Sequence, residues 1–129
     1  MTNSPKLITQ EKMGIKIGIL HCLEATKVCA GCGCLNAFNL KKGSFTEYAK
    51  EDVLAAYFTC NGCKEQNWAS PTEDMGMIEK VERLQSEGID VVHVGVCCEN
   101  ADGSFCERIV EIVEMIKLKG IRIKNRTHM

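Results

Sequence analysis

Three short apolar runs in this chain each end against a cysteine, and that pattern constrains the fold more than any other feature. The runs are Ile15–His21, followed by Cys22, Val53–Thr59, followed by Cys60, and Ile89–Val96, followed by Cys97. Each is brief and apolar, with β-branched residues prominent in the first and third, which reads as a buried strand. A weaker fourth run covers Ile121–Lys124. Helical patterns separate the later runs. Ser70-Pro71-Thr72-Glu73 offers an N-cap serine, a proline at the first helical position and a capping-box glutamate, and Gly88 can end the helix in the left-handed region. Between them Met77, Ile78, Val81 and Leu84 form one apolar stripe. Ser104-Phe105-Cys106-Glu107 repeats the capping-box pattern ahead of a second stripe, Ile109, Ile112, Val113 and Ile116, which Gly120 can close. The link between the first two runs is less regular, and Ser44-Phe45-Thr46-Glu47 is placed to start a short helix there.

Strands that alternate with helices favour parallel pairing with right-handed crossovers and helices on both faces. The expected fold is α/β: a three-layer α/β/α arrangement around a four-stranded, mostly parallel sheet in the order 2-1-3-4, Rossmann- or flavodoxin-like. The 129 residues suit one domain with one core. Residues 1–13 are polar, without periodicity, and contain Ser4-Pro5, so they read as a flexible N-terminal leader. The single cysteine-rich domain then occupies residues 14–129.

Nine cysteines are far more than packing asks of a chain this short. Lys6, Glu11 and Lys12 interrupt any apolar run at the start, so no signal-peptide core is present there, and no stretch approaches the roughly 20 apolar residues that span a bilayer. The reading is cytoplasmic. In a reducing compartment clustered cysteines bind metal or do redox work more often than they form staples. The odd total also suits complete disulfide pairing poorly. Sixteen basic residues against 17 acidic ones, a formal net charge of −1, create no global field that would recruit nucleic acid or a membrane surface.

In open parallel sheets, ligands bind beyond the carboxyl ends of the strands. Cys22, Cys60, Cys63, Cys97 and Cys98 should therefore share one edge, within reach of Cys29, Cys32 and Cys34 in the loop leaving the first strand. Cys106 falls in the first turn of the last helix, where the macrodipole promotes thiolate character. The sharpest local signal is Cys60-Asn61-Gly62-Cys63, whose spacing lets two sulfurs face one metal across a tight turn. Six residues, Lys64 to Ala69, separate that pair from its helix signal, so metal ranks above a thioredoxin-type dithiol. Cys29-Ala-Gly-Cys32-Gly-Cys34 can add ligands on a flexible backbone, although its spacing matches neither a ferredoxin run nor a second zinc knuckle. His21 and His128, near strand ends, can complete a sulfur-rich site as neutral imidazole. His93, in mid-strand, reads equally as a core histidine with one satisfied partner or as a ligand. The basic stretch from Lys117 to Arg126 reads as a solvated face.

These residues resemble the CGGC-domain family, small prokaryotic proteins described as metal-binding because of their many cysteines and histidines. The resemblance covers roughly residues 14 to 128. Cys22 after the first strand is similar to the family's opening, Cys29-Ala-Gly with Cys34 to its C-P-G-x-x-C loop, and Cys60-Asn-Gly-Cys63 to the motif that names it. His93 through Cys97, Cys106 and Thr127-His128 resemble its later strand, next cysteine and terminal Thr-His. Asn61 stands where the naming motif has its first glycine, and Ala30 where the family has proline. Cys32 and Cys98 have no counterpart, which makes them peripheral to a shared site.

The expected function is metal binding at a cysteine-rich site on the carboxyl edge of the sheet, with zinc favoured. The ligands are drawn from Cys22, Cys29, Cys34, Cys60, Cys63, Cys97, Cys106 and His128. An iron–sulfur cluster, serving an electron carrier with a redox protein partner, is the close variant. The rival class is a thiol–disulfide or thiol-transfer enzyme that uses Cys60 and Cys63, or Cys106, as nucleophile.

Overall fold

A computed structural model describes residues 14–128, so the expected leader, residues 1–13, lies outside the described residues. The chain runs β1 (Lys16–His21), α1 (Cys32–Leu40), β2 (Val53–Thr59), α2 (Met75–Ser86), β3 (Val91–Val94), α3 (Glu107–Leu118) and β4 (Arg122–Asn125). All strand pairs are parallel and the sheet order is β2-β1-β3-β4. The expected order 2-1-3-4 is therefore observed. The central strands β1 and β3 are buried along almost their whole length, which is why they read as continuous apolar runs rather than as alternating ones.

Two apolar clusters flank the sheet. On one side Met77, Val81 and Leu84 of α2 join Ile109, Ile112 and Ile116 of α3 against Leu20, Val92 and Val94. On the other, Ala37 and Phe38 of α1 pack with Phe45, Tyr48, Ile17, Ile19 and Val91. The fold is thus three layers, α1 on one face and α2 with α3 on the other.

Three local expectations shift. Cys32 and Cys34 do not lie in a loop: they open α1, which starts from Gly31 in the left-handed region at φ 82°. Around Ser44 only a 3₁₀ turn forms, Gly43–Phe45. Ser70 caps a 3₁₀ turn, Pro71–Glu73, while Asp74 is the N-cap of α2, its side chain accepting the Met77 amide at 3.2 Å. The segment thus carries two successive caps, Ser70 for the 3₁₀ turn and Asp74 for α2. His93 resolves as a core residue: Tyr48 donates its hydroxyl proton to Nε2 at 2.7 Å, and Nδ1 donates to the Arg126 carbonyl at 2.8 Å. Burial holds its pKa below the ordinary imidazole value, against the pull of that carbonyl.

Candidate functional site

Cys22, Cys60 and Cys97 each lie at or just past a strand end, at the carboxyl edge of the sheet. The short segment after β1 ties the other two sulfurs together. The Cys22 amide donates to Cys97 Sγ at 3.4 Å, and the next amide, Leu23, donates to Cys60 Sγ at 3.5 Å. Gly62 also donates to Cys60 Sγ, at 3.4 Å. Backbone amides directed at sulfur favour the thiolate form. Burial raises the pKa of Cys22, opposed by the amides of Ala25 and Glu24, and the neighbouring Cys60 and Cys97 raise it further.

Cys106 reaches this edge by a detour. The chain leaves β3, forms an antiparallel bridge between Glu99 and Phe105, and returns so that the Cys106 amide donates to the Cys98 carbonyl at 3.2 Å. Cys106 is the N-cap of α3 rather than a residue of its first turn, and its side chain makes no capping bond.

The loop carrying Cys60 and Cys63 is held by polar bolts. Asn61 takes φ 66°, left-handed like the glycine after it, and spans two partners: its amide nitrogen donates to Asp74 Oδ2 at 3.1 Å, and its carbonyl accepts from Lys80 Nζ at 2.5 Å. Lys80 Nζ also donates to the Thr59 carbonyl at 3.0 Å. Arg108 of α3 donates to the carbonyls of Ala69 and Cys60 and pairs with Asp74.

Inside this frame sits a small cavity of ≈ 30 Å³, whose walls include Cys22, Cys60, Cys63, Cys106 and Arg108. Arg108 Nε is buried without a hydrogen-bond partner among the described residues. Among those residues no three His, Cys, Asp or Glu side chains are grouped closely enough to hold an ion as they stand. No two cysteines are joined in a disulfide.

Of the remaining thiols, Cys98 packs on the α2 and α3 side, while Cys29, Cys34 and Cys97 lie toward the α1 face. Cys34 is buried in the α1 cluster, its sulfur 3.0 Å from Thr127 Oγ1 and 3.6 Å from His128 Nδ1. Burial raises its pKa, and the Thr127 hydrogen bond opposes that. Cys29 is exposed, with Sγ accepting the Gly31 amide at 3.3 Å. Cys97 lies 3.7 Å from His21 Nδ1, and the His21 ring rests on Tyr57 with centroids 4.2 Å apart. A hydrogen bond from Cys98, aided by His21 and the Cys22 amide against the cost of burial, draws the Cys97 pKa down to about 4. The Cys98 thiol, which also faces the Leu20 carbonyl at 3.6 Å, is correspondingly raised.

The expected site residues thus fall into two groups: Cys22, Cys60, Cys63 and Cys106 around the cavity, and Cys29, Cys34, Cys97 and His128 toward α1. Sequence reasoning missed Arg108 and Asp74, whose charges resembled ordinary helix-surface residues, and placed His21 and Cys97 at one edge without pairing them. No helix among the described residues is long and apolar enough to cross a membrane. No curated protein and no solved structure matches the chain. A family model, the CGGC domain, matches residues 16–128, and with the cysteines placed as above the chain belongs to the CGGC-domain family.

Proposed function

We propose that this domain binds zinc through the thiolates of Cys22, Cys60, Cys63 and Cys106. The observation that carries the reading is the ≈ 30 Å³ cavity these four cysteines wall together, a volume suited to a single water or ion. The donor chemistry fits the ion. Four cysteine thiolates are the donor set of closed structural zinc sites. The orphaned Arg108 Nε fits as well, because a buried N–H without a partner is costly and a cavity thiolate turned toward it would accept the bond. Its guanidinium would also offset part of the negative charge of four thiolates around a divalent ion. To bind, the four sulfurs would have to converge on the cavity from their present positions. Zinc held there would cross-link the ends of β1 and β2 to the start of α3. The free thiols suit a reducing, cytoplasmic setting.

The test is zinc loading under argon, followed by elemental analysis and X-ray absorption. The expected result is a single zinc ion per chain with four sulfur neighbours at about 2.3 Å, and weaker binding in Cys63→Ser and Cys106→Ser. A chain that takes up no stoichiometric metal overturns the reading. A brown protein with visible absorption would carry an iron–sulfur cluster instead and overturn the choice of zinc.

A further inference from the structure

The sulfur of Cys97 stands apart from the cavity. Its residue is exposed, and the side chain turns toward the α1 face, where Sγ accepts the Cys22 amide at 3.4 Å and lies 3.7 Å from His21 Nδ1. Gly95 keeps that approach open, since a Cβ there would sit 3.3 Å from Cys97 Sγ and 3.2 Å from the Leu20 carbonyl. His21 is only 2% exposed, yet its Nε2 has no partner among the described residues. Among the described residues no carboxylate or carbonyl fixes the ring from behind, and Nδ1 has the sulfur as its neighbour.

The flank is equally specific. Tyr57, stacked on His21, is 42% exposed and lines a shallow apolar groove of ≈ 370 Å³ with Ala30, Leu35 and Leu54. An exposed sulfur held by an amide and an imidazole, with a partly exposed aromatic ring stacked on that imidazole, is the arrangement of an attacking thiol.

We infer that Cys97 is the nucleophile of a thiol–disulfide exchange site for low-molecular-weight disulfides, with His21 as positioning residue and Tyr57 as the wall against which the departing arm lies. In the exchange the Cys97 thiolate attacks one sulfur of the disulfide. A new S–S bond forms between Cys97 and that half, the original S–S bond breaks, and the other half leaves as thiolate, so electrons and charge balance without a further oxidant. The site lies outside the proposed zinc ligands and does not depend on that reading.

The test treats the reduced chain, with and without prior zinc loading, with substoichiometric dithiobis(nitrobenzoate), and separately with glutathione disulfide, following released thiolate and mapping the mixed disulfide by peptide mass spectrometry. The first mixed disulfide is expected on Cys97 with both probes. His21→Asn is expected to keep that position but slow it by about tenfold, the fold-change of one hydrogen bond to a charged group. Cys97→Ser should lose the fast phase. A first mixed disulfide on another cysteine of the wild-type chain overturns the proposal and needs no variant that folds. An unchanged rate in His21→Asn overturns the role given to His21. Zinc content, measured on the same samples, reports separately on the cavity.

Discussion

Arg108 and Asp74 form an ion pair, Nη2 to Oδ2 at 3.4 Å, with both side chains only 7% exposed. Each partner is itself a hub. Arg108 holds the carbonyls of Cys60 and Ala69, the two ends of the cysteine loop, while Asp74 caps α2 and receives Asn61. Removing the guanidinium leaves a buried carboxylate and two carbonyls without their donor. Arg108→Ala is therefore expected to lose about 3–5 kcal/mol of stability, read as the shift in a urea unfolding curve. Arg108→Lys should recover only part of that, because an ammonium cannot reproduce the planar fork.

Asn61 occupies the position of the first glycine in the family motif, and the structure shows what the substitution supplies. Its backbone adopts a left-handed angle that asparagine tolerates better than most residues, and its side chain bonds both Asp74 and Lys80. Asn61→Gly keeps the backbone angle and both sulfurs but loses two hydrogen bonds at about 1 kcal/mol each. The expected outcome is lower thermal stability with unchanged zinc stoichiometry, checked by calorimetry and elemental analysis on the same preparation.

Gly62 should be less permissive. Its φ is 85°, and a Cβ would meet Glu65 Oε1 at 2.0 Å and Leu23 Cδ2 at 2.9 Å. The glutamate end can swing away, but Leu23 belongs to the segment whose amide holds Cys60. Gly62→Ala is expected to cost about 1–2 kcal/mol through the left-handed backbone alone. It should also weaken zinc binding in competition with a chromophoric chelator, by moving Cys60 relative to Cys22.

How much of this could be read beforehand follows from the range of the interactions. The sheet order was legible because β1 and β3 are buried along almost their whole length and strands alternate with helices after β2, while β1, β2 and β3 are each followed by cysteine within three residues. Helix α1 was not, because Gly33, Asn36 and Asn39 dilute its helical preference and only Cys34, Ala37 and Phe38 of its residues are buried. The split of the thiols between two faces was also illegible. Strand alternation places a side chain on one face or the other, but cysteines just beyond a strand end take their direction from the following turn. Cys97 turns toward His21 while its neighbour Cys98 packs with α3. Partners distant in sequence, such as Tyr48 for His93, leave no local trace at all.

That last pair sets a pH dependence. His93 Nδ1 donates to the Arg126 carbonyl, so Nε2 must accept from Tyr48, and the ring is neutral in the fold. The groups facing it are Tyr48, the Phe45 ring and the Arg126 carbonyl, with Lys124 beyond Tyr48 at 5.6 Å from its ring. Burial holds the folded pKa below the ordinary value, while the unfolded chain titrates this residue near pH ~6.5. Below that pH the unfolded state binds the extra proton, and stability falls as pH drops from the unfolded pKa toward the folded one; above it His93 contributes no slope. Urea midpoints measured from pH 8 down to pH 5 should therefore decline more steeply for the wild type than for His93→Gln, which removes this proton while the other titrating groups remain. Tyr48→Phe should destabilise by about 1–3 kcal/mol by leaving Nε2 buried without a donor. It should also reduce the decline, because Nε2 can then take up a proton without first displacing the Tyr48 hydroxyl. Equal slopes in all three proteins would mean that His93 does not carry the dependence.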